Sequence, residues 1–80
     1  MTTEEAEKII TIIERKGPIG IGHYIAGYES LAKTGPGRYQ YTKTDTTMDY
    51  MAPTEEVRHL TRDELKALLR ESFNYGDLAP

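Results

Sequence analysis

Few residues in this chain have the type and spacing that chemistry requires. Histidine occurs only as His23 and His59, and cysteine not at all. A zinc site would therefore need both imidazoles plus a carboxylate such as Glu29, Asp45 or Asp49, and no HExxH or other compact ligand pair is present. The same histidines would have to serve any Ser-His-Asp triad with Ser30 or Ser72 as nucleophile, but neither serine sits in a GxSxG elbow. Asp45 and Asp49 are spaced to pair for acid–base work or for a divalent cation. They lie, however, in a threonine-rich stretch where Asp commonly bonds the local backbone. The glycines of Gly17-Pro18-Ile19-Gly20-Ile21-Gly22 fit no GxxxxGK[ST] phosphate loop. They fail the GxGxxG dinucleotide turn as well, because Ile25 stands where the third glycine belongs. The expectation is a protein that is not an enzyme and uses no metal or cofactor.

Binding chemistry is better represented. Tyrosine occurs six times against one Phe and no Trp, and Tyr24, Tyr28, Tyr39, Tyr41 and Tyr50 all fall in the middle of the chain. Tyr39 and Tyr41 share one face of an alternating segment. Buried, that face is core with hydroxyls reaching the rim; exposed, it is an aromatic platform for a protein partner or for stacked bases. Tyr28, Tyr39, Tyr41 and Tyr50 are candidate anchors for a partner, with Glu55, Glu56 and Asp77 available to meet a basic patch. A second set, Arg58, Arg62, Lys66 and Arg70, recurs every four residues and would track phosphates as a ridge. Asp63, Glu64 and Glu71 are interleaved with it and dilute its field. The net charge of −3 also argues against a dedicated nucleic-acid binder, which is normally basic.

The elements that must carry these residues are those of a small α+β domain spanning 1–80. Ala6, Ile9, Ile10 and Ile13 recur at helical spacing, Thr2 and Glu5 have the spacing of a capping box, and Gly17-Pro18 stops the helix. Thr61-Arg62-Asp63-Glu64 repeats the capping box ahead of Leu65, Leu68, Leu69 and Phe73, which predicts a second helix from Thr61 to about Phe73. Arg38–Thr44 alternates and is rich in strand formers, Gly35-Pro36-Gly37 reads as a turn, and Thr47–Ala52 reads as a further strand stopped by Pro53. Residues 22–33 fit both a strand and a helix, with the strand preferred because interior glycine weakens a helix. Pro53-Thr54-Glu55-Glu56 looks like a short helical turn, and residues 74–80 like a loose tail. The expected order is α-β-β-(β)-α, with a small antiparallel sheet of two or three strands and both helices on one of its faces.

Eighty residues with 38% hydrophobic and 29% charged side chains are within the globular range. No apolar run approaches the roughly 18 residues of a membrane span. The acidic start, Met1-Thr2-Thr3-Glu4-Glu5, is unlike a signal peptide, so a cytoplasmic protein is expected. In general character the chain resembles small accessory proteins of phages and mobile elements, including anti-CRISPR proteins: short, acidic, Cys-free and Tyr-rich. That resemblance implies a non-enzymatic binding protein, an inhibitor of a host defence complex, acting on a protein or nucleoprotein complex by occupying its surface. The alternative is a nucleic-acid-binding regulator. Gly17-Pro18-Ile19-Gly20 matches the bare GXXG of KH loops, and under the helix reading of residues 22–33 the first helix, that helix and the Arg38–Thr44 ribbon resemble a shortened winged helix.

Overall fold

The structure is a computed structural model that describes residues 1–23, 27–45 and 54–79, with His23 described by its backbone alone. Its elements are α1 (Thr3–Lys16), β1 (Ile19–His23), β2 (Gly27–Gly35), β3 (Arg38–Asp45), β4 (Thr54–Thr61), α2 (Arg62–Ser72) and α3 (Tyr75–Leu78). The strands form one antiparallel sheet in the order β1-β2-β3-β4. The fold is α+β, with four strands among the described residues where two or three were expected.

Both long helices begin as their local sequence requires. The Thr2 hydroxyl accepts from the Glu5 N–H at 3.1 Å while the Glu5 carboxylate accepts from the Thr2 N–H at 2.9 Å. Thr61 and Glu64 do the same at 3.2 and 3.0 Å. Each box satisfies donors that the first helical turn leaves orphaned. α1 ends where the Gly17 N–H reaches the Ile13 carbonyl.

Side chains alternate across a strand, so register decides which residues face the helices. On the inner face, Ile19 pairs with Leu31, Leu31 with Tyr41, and Tyr39 with Leu60. Leu31, Tyr39, Tyr41 and Leu60 join Ala6, Ile9, Ile10, Ile13, Leu65, Leu69, Phe73 and Leu78 in one core. The helices therefore cover one side of the sheet, and among the described residues no element packs on the other.

Two expectations are corrected. The segment from Thr54 through Glu56 is not a helical turn but the start of β4, which is held by register pairs running from Arg38↔Thr61 to Asp45↔Thr54. Residues 74–79 of the expected loose tail are ordered, because α3 packs against α1 and β1 and buries Leu78. The strand preferred for residues 22–33 is borne out where they are described, with Gly22 and His23 in β1 and residues 27–33 in β2. The expected strand Thr47–Ala52 lies outside the described residues, as do Tyr24, Asp49 and Tyr50.

Gly27, where β2 begins, has a backbone that demands glycine. Its φ is 115°, a left-handed value, and a Cβ there would overlap the Thr44 carbonyl oxygen and lie 2.8 Å from the carbonyl carbon. The close approach of β2 to β3 at this end of the sheet depends on the missing side chain.

Candidate functional site: the bare face of the sheet

The outer face is built from three rows of cross-strand neighbours. One runs Gly20–Ser30–Thr42–Val57, the next Gly22–Tyr28–Thr44–Glu55, and the third Ala32–Gln40–His59. Tyr28 and Val57 are its large hydrophobic side chains and are 51% and 42% exposed. Around them the face is small and polar. Gln40 donates to the Thr42 hydroxyl at 3.2 Å, and the Thr44 hydroxyl is shielded from solvent with no hydrogen-bond partner.

At the β1 edge the face has no side chains. Gly20 and Gly22 are exposed and neither has a left-handed φ. An added Cβ at Gly22 would meet nothing within 4 Å, and one at Gly20 would meet only the Glu29 carbonyl oxygen at 3.8 Å. The ring of Tyr28 therefore does not lie over Gly22. Glycine inside a strand costs roughly 0.5–1 kcal/mol relative to Ala, and among the described residues nothing calls for it at these two positions. Strand glycines of this kind mark places where another backbone comes close.

The tyrosines singled out from the sequence divide between the two faces. Tyr28 is on the bare face. Tyr39 and Tyr41 are 1% and 7% exposed, so they are core residues and not surface anchors. Their phenol oxygens reach the rim: Tyr39 donates to Glu14, and Tyr41 donates to Glu29 at 2.8 Å. The Tyr41 ring meets Phe73 edge-on, with centroids 6.2 Å apart and planes at 77°. Burial, reinforced by the Glu29 carboxylate, pushes the Tyr41 phenol up to about 12. Burial and Glu14 raise Tyr39 too. The hydrogen bond from Tyr39, helped by Lys33 at 4.0 Å, holds the Glu14 carboxyl below its usual range.

These shifts predict alkaline sensitivity. A phenol whose pKa is raised on folding stabilises the fold fully below its unfolded value of 10.0 and ceases to do so as pH climbs through the folded value. Unfolding monitored by circular dichroism should show stability falling between pH 10 and about 12. Tyr41→Phe should blunt that fall, and an unchanged profile in this variant would remove Tyr41 as its source.

Glu55 and Glu56 are neighbours on β4 and so point to opposite faces, Glu55 beside the Tyr28 row and Glu56 beside Lys43 on the inner side. The basic ridge is not continuous. Arg58 is on β4 opposite Tyr41, whereas Arg62, Lys66 and Arg70 are on α2, where Lys66 is paired with Glu7 at 3.0 Å. Catalytic candidates do not converge either. Ser30 and His59 share the outer face but are separated by β3 and lie in adjacent rows, which puts their backbones about 12 Å apart. Among the described residues, no polar or charged side chain is buried, no group of three His, Asp or Glu side chains stands together as metal ligands, and no helix is long and apolar enough to cross a membrane.

Thr42 and Val57 belong to this face and escaped the sequence reading, which took Ser30 only as a nucleophile candidate and the two strand glycines only as a phosphate-loop candidate. The available signal was the alternation in Arg38–Thr44, which sets Gln40, Thr42 and Thr44 opposite the two tyrosines. Compared with models of protein families, with curated proteins and with solved structures, the chain matches none of them.

Proposed function

We propose that this chain is a non-enzymatic protein-binding module that engages its partner through the bare face of the sheet. The observation that carries this reading is the half-exposed Tyr28 standing beside the side-chain-free strip of Gly20 and Gly22. An amphipathic aromatic on a rigid strand supplies contact area at low entropic cost and is a typical interface anchor. The glycine strip lets a partner's backbone approach the sheet. Glu55, in the same row as Tyr28, suits a cation on that partner, as does the net charge of −3. The partner is a protein or nucleoprotein complex, and occupying its surface would act as inhibition. A host defence complex of the kind that mobile elements must disarm fits such a small module.

The test is capture from lysate of the source cells or their host, comparing the unaltered chain with Tyr28→Ala and Gly22→Thr, each with and without nuclease. Neither substitution touches the core, so both variants should fold. A specific protein band should survive nuclease and be lost with each variant, with Tyr28→Ala weakening binding about 30-fold or more, in line with ~2 kcal/mol for an interface anchor. A band retained by both variants would place the contact elsewhere, and a catch abolished by nuclease would replace this reading with nucleic-acid binding.

A further inference from the structure

The four-stranded sheet has two edges, and β4 is the longer one. All its residues from Thr54 to His59 are exposed, and it offers a row of backbone donors and acceptors that no other strand among the described residues covers. Natural edges are normally blunted by charge, and β4 carries four ionisable side chains. Their order is unusual for a protective set: Glu55 and Glu56 precede Val57, and Arg58 and His59 follow it.

That order is self-complementary. If β4 meets a second β4 antiparallel about a two-fold axis at Val57, Glu56 stands opposite Arg58 of the other copy and Glu55 opposite its His59, each pair occurring twice. The faces agree as well. Glu56 and Arg58 both lie on the inner side, where Glu56 already neighbours Lys43, and Glu55, Val57 and His59 all lie on the outer side. The two exposed valines would meet at the centre. Sliding by two residues preserves the faces but sets Glu56 against Glu56, or Arg58 against Arg58. Directly opposed like charges are destabilising, so the charges select one register.

We infer that β4 is a self-association edge, through which two copies of this chain join into one eight-stranded antiparallel sheet centred on Val57. The interface is isologous, as two-fold symmetry requires. Both helical layers then lie on the same side, and the two bare faces merge into a single platform with Tyr28 of each copy on it. The inference stands independently of the binding role given to that platform.

Sedimentation equilibrium over a concentration series reaching about 1 mM tests it, with circular dichroism to establish folding. The unaltered chain should be in monomer–dimer equilibrium. Val57→Lys, at an exposed position outside the core, should remain folded and be monomeric. Glu56→Arg and Arg58→Glu should each raise the dimer Kd at least about tenfold, because each places like charges opposite one another twice. Combining them restores opposite charges and should bring the Kd back to within about threefold of the original. A chain monomeric across the whole series would overturn the inference. So would a dimer unaffected by Val57→Lys, or charge reversals whose effects simply add in the combined variant.

Discussion

Gly27→Ala should lower the stability of the domain by about 3 kcal/mol or more, a large fraction of the roughly 4–12 kcal/mol expected for a chain this size. Two causes act together. Alanine resists the left-handed φ of 115°, and its methyl group would be driven into the Thr44 carbonyl. The obstacle is backbone and not the movable end of a side chain, so relief requires β2 to part from β3. Urea unfolding followed by circular dichroism measures the effect, with Gly22→Ala as the control. Gly22 has an ordinary φ and open space around it, so alanine there should leave the midpoint unchanged or raise it slightly. Equal losses at the two positions would contradict the close approach at Gly27.

Tyr39→Ala should cost about 3–5 kcal/mol, the usual effect of truncating a fully buried aromatic ring. Tyr39 is 1% exposed and sits between Lys33 and Leu60 in the register of the sheet. Tyr39→Phe separates the parts of this loss. It keeps the ring and gives up only the hydrogen bond to Glu14, a change of about 1 kcal/mol. The same urea titration reads both variants. An unchanged midpoint for Tyr39→Ala would return this residue to the surface.

Much of the architecture was legible because the signals that carry it are local. Thr2 with Glu5, and Thr61 with Glu64, act over three residues, and the isoleucine stripe of α1 and the leucine stripe of α2 act over two or three turns. β4 was hidden because it is an edge strand wet on both sides, with Leu60 its single buried residue. No alternation of apolar and polar residues marks it, and Glu55-Glu56 after a proline resembles a helix start. It is a strand because β3 offers it a partner along its length, and that partnership is written nowhere within residues 54–61. α3 escaped because four residues carry no period.

The orientation of the tyrosines was unreadable for a related reason. Alternation put Tyr39 and Tyr41 on the same face, but which face the helices cover follows from the register that joins them to Leu31 and Leu60. Tyr28 has the opposite parity, so one long-range choice buried two tyrosines and exposed the third.

The one-sided covering of the sheet also governs how this protein can evolve. Residues that hold the fold and residues that meet the outside alternate along the same strands, so one segment answers to two separate demands. Ser30, Thr42, Val57 and His59 can be rewritten while Leu31, Tyr41 and Leu60, interleaved among them, keep the domain folded. A lineage pressed to follow a changing target could therefore replace half of each strand without rebuilding the other half.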